Sequence, residues 1–186
     1  MEYRRDLINF FIEKFNYERY LEIGVARQTK TFDLINCAHK EGVDPNGCTT
    51  HKMKSDDFFN QLSPDTKWDI IFVDGYHERG QVKRDIENAL NHLAENGTIV
   101  CHDVNPRRQE LLRTELCWNA WEAFAELRAT RPDLEMHGVT FDHCGFIRRG
   151  EQETFDKPIE YTWQFLNANR KELLNELTTD ELIAKY

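Results

Sequence analysis

The chain has 186 residues, a formal charge of −9, 40% apolar residues and 31% charged ones. That length suits one domain with a sizeable core. The acidic balance excludes a broad nucleic-acid footprint, which needs a basic face, and no run of about 18 apolar residues offers a membrane span.

The N-terminus mixes charges with apolar residues and lacks a secretory apolar core and a small-residue cleavage site, so a cytoplasmic protein without a membrane partner is expected. Cys37, Cys48, Cys101, Cys117 and Cys144 form no C-x-x-C pair. Reduced thiols are therefore expected rather than a disulfide framework or zinc site.

Residues 3–16 place Leu7, Phe10, Phe11 and Phe15 at helical spacing. Tyr20 to Val25 reads as a strand ending in an acid and a glycine. A helix is predicted from Thr29 to His39, with Phe32, Leu34, Ile35 and Ala38 apolar. Gly42-Val43-Asp44-Pro45 reads as a very short strand closed by an acid, and Asn46-Gly47 as a turn. Thr49 to Lys54 is predicted to be an edge strand. Ser55 is predicted to cap a helix over Asp56 to Leu62, with acids in its first turn. A parallel crossover needs about a dozen residues, so this corner of the sheet is expected to be trimmed.

Trp68 to Asp74 carries the pattern that organises the chain: a short apolar run, an acid, then Gly75. It reads as a strand buried on both faces. Gln81 to Leu93 predicts a helix with Val82, Ile86, Ala89, Leu90 and Leu93 on one face, ended by Asn96-Gly97. Thr98 to Cys101 is a second buried strand, running into His102-Asp103. Thr114 to Ala129 predicts a helix burying Trp118, Trp121, Phe124 and Leu127. Leu134 to Thr140 and Cys144 to Ile147 predict an antiparallel pair around Asp142-His143. The tail from Ile159 to Ala184 is predicted helical, in two pieces broken near Thr178. The alternation predicts an α/β fold: a doubly wound, mostly parallel sheet with helices on both faces and a C-terminal antiparallel hairpin, in a single domain over 1–186.

Glu22, Asp44, Asp74 and Asp103 each follow an apolar strand pattern, and Asp56 follows a weaker one. In an open parallel sheet such ends line one crevice. Carboxylates gathered there suit a ligand that is cationic or rich in hydroxyl donors: a nucleoside with a ribose diol, an amine and a sulfonium, or a divalent metal. Asp44 lies 20 residues after Gly24, the spacing at which a second-strand acid takes ribose hydroxyls. Read as a turn acid before Pro45-Asn46-Gly47, Asp44 is equally well explained. Gly24 gives a ligand room to approach the backbone. Asp56 is placed to receive an adenine amino group, or simply to begin a helix.

With YLEIGV, GVDP, SDDFF, DIIFVDGYH, QVKRDIENALNHL and GTIVCHDVNP in view, the sequence resembles the class I S-adenosylmethionine-dependent methyltransferases. Within that family it resembles the small bacterial branch often associated with sugar or glycan O-methylation, which implies a Rossmann-like sheet. The block from Trp68 to Pro106 is the specific part. The family's second glycine, expected near residues 26–29, is absent from Ala26-Arg27-Gln28-Thr29.

The resemblance implies S-adenosylmethionine as cofactor, held by Glu22, Gly24, Asp44 and Asp56, and a small-molecule or saccharide acceptor. It implies magnesium or another divalent ion at Asp74 and Asp103. His102 falls where relatives carry a further acid, so it is the candidate third ligand, and an imidazole shifts preference toward manganese, iron or zinc. His77, three residues after Asp74, has the ordinary pKa of about 6.5 that suits a general base. The resemblance places a base there too. The reaction implied is in-line attack of a substrate hydroxyl on the sulfonium methyl, with catalytic roles for His77, Asp74 and Asp103. A different reading is a degenerate methyltransferase fold that binds a ligand or partner without catalysis, which the altered first loop favours. A dehydrogenase, a P-loop nucleotidase and a serine hydrolase are excluded, because G-x-G-x-x-G, G-x-x-x-x-G-K and G-x-S-x-G are all missing.

Overall fold

The structure is a computed structural model, and it describes residues 1–26, 30–47 and 49–186. In chain order the elements are α1 (Arg4–Phe15), β1 (Arg19–Ile23), β2 (His39–Val43), α2 (Ser55–Phe59), β3 (Trp68–Val73), α3 (Arg79–His92), β4 (Leu93–Cys101), α4 (Ala120–Thr130), β5 (Leu134–Gly138), β6 (Gly145–Arg149), α5 (Trp163–Leu173) and α6 (Thr179–Lys185). The strands form one sheet in the order β2-β1-β3-β4-β6-β5. β1 to β4 run parallel, and β6 is antiparallel to both β4 and β5. The predicted α/β sheet with a terminal antiparallel pair is the one observed.

Side chains alternate across a strand, and β3 uses both sides. Ile71 and Val73 join Leu21, Ile23 and Ile99 under α3 and α4. Ile70 and Phe72 join Tyr20, Val100 and Phe146 under α1 and α6, against Leu7, Ile8, Phe11 and Leu182. Burial on both faces is why these strands read as continuous apolar runs.

The strand ends come out level. Ile23 is opposite Val73, and Val73 is opposite Cys101. Gly24, Asp74 and His102 therefore emerge side by side. The ladder continues one step past the strands: Asp74 N–H donates to Ile23 O at 2.9 Å and His102 N–H to Val73 O at 3.0 Å.

Several predicted elements differ. Of the helix predicted from Thr29 to His39, Thr29 lies outside the described residues, and the described ones form one 3-10 turn, Phe32–Leu34, before β2 begins at His39. Side chains satisfy the backbone instead: Lys40 donates to the carbonyls of Phe32 and Ile35, and Asn9 donates to Leu34 O and accepts from Asn36 N–H. The edge strand predicted over Thr49 to Lys54 reduces to one parallel bridge between Val43 and His51. Ser55 is not a cap; it is the first residue of α2, and Lys54 holds the cap position without a side-chain bond.

α3 starts two residues early because the Glu78 carboxylate caps it, accepting from Gly80 and Gln81 N–H. It ends at His92, and Asn96-Gly97 lies within β4 rather than breaking the chain. α4 begins only at Ala120: Trp118 adopts a left-handed φ of 45° and sits half-buried, edge-on to Tyr76, not in the core. The break near Thr178 is a capping box, with Thr178 and Glu181 each accepting from the other's backbone N–H. Among the described residues no helix is long and apolar enough to cross a membrane.

Candidate active site

Gly24 is fixed by the sheet. Its φ is +96°, and a Cβ there would meet the Asp74 carbonyl oxygen at 2.0 Å. The tips of β1 and β3 approach so closely that only glycine fits.

The four residues predicted at the tips of β3 and β4 converge. His102 Nδ1 lies 3.2 Å from Asp74 Oδ1 and 3.1 Å from Asp103 Oδ2. His77 Nε2 lies 3.5 Å from Asp74 Oδ1 and 3.3 Å from Asp103 Oδ2. The Nδ1–H of His77 donates to the carbonyl of Leu116, which fixes the tautomer and turns Nε2 toward the acids. Asp103 adopts a left-handed φ of 59°, and Cys117 Sγ–H donates to its Oδ1 at 2.9 Å.

Two residues that sequence reasoning missed complete the cluster. Arg4, in the first turn of α1, donates from Nη1 to Asp74 Oδ2 at 2.7 Å and from Nε to Asp142 Oδ2 at 3.1 Å. Its backbone N–H also donates to Asp142 Oδ2, at 2.7 Å. Asp142 comes from the β5–β6 turn, where it and His143 both take left-handed φ values of 42° and 55°. Its Oδ1 lies 3.7 Å from His102 Nε2. Consecutive Asp and His residues are enriched in that backbone region, and this was the one available signal. His143 has its ring 6.3 Å from that of His102.

Electrostatics follow from this packing. Burial by itself would raise the Asp74 carboxyl; His102, His77 and Arg4 outweigh it and hold Asp74 well below the usual carboxylate range. Asp142 is treated likewise: burial raises it, but His102 and Arg4 bring it down to about 2. Burial opposes charge on His77 and His102, yet the surrounding carboxylates raise both, His102 most.

Whether the cluster suits a metal ion turns on His102. Its ring is buried, and the carboxylates lie within ion-pairing distance. Yet neither ring nitrogen completes a hydrogen bond: Nδ1 lies close to two carboxylates without one, and Nε2 stands 3.7 Å from Asp142 Oδ1. Buried polar atoms are normally satisfied, so an orphaned imidazole nitrogen facing two carboxylates fits a metal ligand. Asp74, His102 and Asp103 offer ligand atoms all within 4.8 Å of one another. His102, Asp142 and Cys144 form a second such group on the other side of the ring.

The predicted cofactor residues divide. Asp44 and Asp56 line a cavity of about 450 Å³ that reaches Gly24, Asp74 and Gly75. Asp44 also serves its turn, since Oδ1 accepts from both Asn46 and Gly47 N–H at 2.7 Å. Glu22 borders a neighbouring cavity of about 810 Å³, which holds Arg4, His77, His102, Asp103 and Asp142. Its carboxyl is buried, accepts a hydrogen bond from Tyr20 and is pushed up to about 7, by burial first. The two cavities meet at Gly24, Ala26, Asp74 and Gly75. Of the altered first loop, Arg27 to Thr29 lie outside the described residues, as does Cys48.

The order of this sheet, with its helices and terminal antiparallel strands, matches the Rossmann-like methyltransferase fold. Residues 15–104 match a family model described as a methyltransferase domain. An O-methyltransferase from Bacillus cereus, solved with S-adenosylhomocysteine, superposes with a TM-score of 0.58 over 77% of this chain and 78% of its own, at 16% identity. The MycE methyltransferase of the mycinamycin pathway, solved with Mg, S-adenosylhomocysteine and mycinamycin VI, gives a TM-score of 0.50 at 15% identity, over 83% of this chain and 51% of its own. In sequence, the uncharacterized protein y4gI of Sinorhizobium fredii is 33% identical over 78 residues, which span 40% of this chain and 8% of that relative. The resemblance to methyltransferases read from the sequence thus holds.

Proposed function

We propose that this chain transfers a methyl group from S-adenosylmethionine to a hydroxyl of a small molecule or sugar. The observation that carries this reading is the meeting of two cavities at Gly24, Asp74 and Gly75, with His77, His102 and Asp103 gathered on one side of the junction. The cavity with Asp44 and Asp56 takes the adenosine, and the cavity with His77 takes the acceptor.

The mechanism follows from what the side chains hold. Gly24 lets the tips of β1 and β3 close up, so cofactor and acceptor share one wall; bringing oxygen and methyl into line is worth several orders of magnitude in rate. His77, anchored through Nδ1 by Leu116, presents Nε2 to accept the acceptor's proton. Asp74 and Asp103 orient that ring and stabilise the imidazolium once the proton has moved. Arg4 neutralises part of their charge and keeps Asp74 from turning. Asp74, His102 and Asp103 are the residues that would hold a divalent ion, and such an ion lowers the pKa of a bound hydroxyl. Two oxygens and one nitrogen suit manganese, iron or zinc better than magnesium, which prefers oxygen ligands.

The test is calorimetric titration with S-adenosylhomocysteine, with and without Mg²⁺ or Mn²⁺, followed by a methyl-transfer assay on a panel of hydroxyl acceptors. Micromolar binding weakened by Asp44→Ala, with turnover on at least one acceptor, is expected. Absence of nucleoside binding under every condition would sink the proposal.

A further inference from the structure

The floor of the adenosine cavity holds a polar relay that reaches into the core. Asp85 is 1% exposed, on the sheet-facing side of α3 beneath Gly75. Gln81, one helical turn earlier, donates from Nε2 to Asp85 Oδ1 at 3.0 Å and to Asp56 Oδ1 at 3.0 Å, with Ser55 Oγ at 3.3 Å. Its Oε1 accepts from Arg84 Nη2 at 2.6 Å. The amide therefore has one sensible orientation: flipped, it would aim an oxygen at two carboxylates and a nitrogen at a guanidinium. The buried end is held, because Asp85 sits in packed core. The exposed end is the Asp56 carboxylate, half-buried at the cavity wall beside Ser55 and Gln81.

We infer that Gln81 is a positioning residue that aims the Asp56 carboxylate at the exocyclic amine of an adenine ring, and that it thereby selects adenosyl over inosyl ligands. This rests on the cofactor reading proposed above. A carboxylate has about four acceptor sites, so the bond from Gln81 orients Asp56 without exhausting it. An adenine amine donates to such a group. A hypoxanthine ring puts a carbonyl there instead, acceptor against acceptor, and an unmet acceptor in a half-buried wall weakens binding. Without Gln81, Asp56 would relax toward solvent and Arg84, whose Nε is already 3.8 Å from Oδ2.

The experiment compares calorimetric affinities for S-adenosylhomocysteine and S-inosylhomocysteine in wild type, Gln81→Leu, Gln81→Glu and Asp56→Asn, with melting curves to confirm folding. Wild type should prefer the adenosyl ligand by about tenfold or more. Either folded Gln81 variant should shrink that preference toward one with inosyl affinity held, and Asp56→Asn should shrink it by raising inosyl affinity, because its amide nitrogen can donate to the hypoxanthine carbonyl. Asp85→Asn, which keeps an acceptor for Gln81, should retain it. Equal losses for both ligands in the Gln81 variants, or an unchanged preference, would overturn the inference while leaving the cofactor site standing. Failure of wild type to bind either nucleoside removes the cofactor reading and this inference together.

Discussion

The carbonyl oxygen of Asp74 lies 2.0 Å from where a Cβ on Gly24 would stand, and Gly24 has φ +96°. A strand-tip glycine and the central acid of the site are thus locked against each other through backbone. Gly24→Ala should therefore disturb Asp74 as well as the fold. Left-handed strain alone costs about 1–3 kcal/mol, and the clash adds to it. A lowered Tm with nucleoside binding lost is the expected result; unchanged Tm and binding would mean the strand tips are free to part.

Arg4 ties α1 to both Asp74 and Asp142, in a site where all three side chains are less than a third exposed. Arg4→Ala leaves two mostly buried carboxylates without their guanidinium, at a cost of about 1–3 kcal/mol. It also frees Asp74 to rotate, and loss of such a supporting contact typically weakens metal binding by about 10–100-fold. Chemical denaturation and Mn²⁺ titration measure the two effects separately. Arg4→Lys should recover part of the stability and less of the metal affinity, since an ammonium lacks the planar fork.

His77→Ala should lower kcat by about 10²–10⁴-fold and leave S-adenosylhomocysteine affinity unchanged. The pH profile carries a sign. A base must be neutral to accept a proton, and although burial works against its charge, Asp74 and Asp103 raise the His77 pKa above its ordinary 6.5. Turnover should rise with pH through a midpoint above 6.5, and Asp103→Asn should move that limb to lower pH. A limb that ignores Asp103→Asn removes the pair from the mechanism.

Glu22 makes stability pH-dependent in the opposite sense from a paired carboxylate. Its folded pKa, about 7, is above its ordinary 4.5, chiefly through burial and then through Asp74. The folded state binds the extra proton between those values, so stability falls as pH rises from 4.5 to 7. Glu22→Gln, which keeps an acceptor for the Tyr20 hydroxyl, should be more stable than wild type at pH 8 by up to about 3 kcal/mol and no more stable at pH 4. Urea melts at the two pH values decide it.

Stripping divalent ions with a chelator should lower turnover, and Mn²⁺ should restore it, while nucleoside affinity stays within a factor of about two. His102→Ala should abolish the Mn²⁺ response if its orphaned nitrogen is a ligand. Full activity in the chelated enzyme would assign His102 to charge balance alone.

The apolar runs ending in acids were enough to read β1, β3 and β4, because residues buried on both faces of a sheet need no partner to reveal their pattern. The same runs placed Gly24, Asp74, His102 and Asp103 at adjacent tips, and His77 followed from its distance to Asp74. Elements held by exceptions to local preference were not legible. The stretch from Phe32 to Ala38 has helical spacing, but Lys40 and Asn9 satisfy its carbonyls without a helix. Trp118 looked like a core residue because its left-handed backbone leaves no trace in composition.

Arg4 and Asp142 mark the limit. They are 138 residues apart, and their contact exists only because α1 lies under the sheet at the point where the β5–β6 turn returns. The Gln81 relay likewise needs α2 beside α3. Local sequence determined which strands carry acids at their ends, since burial and side-chain alternation act over a few residues. Which cation meets which carboxylate was decided by tertiary packing, since an ion pair depends on distance in space and long-range order alone sets that distance.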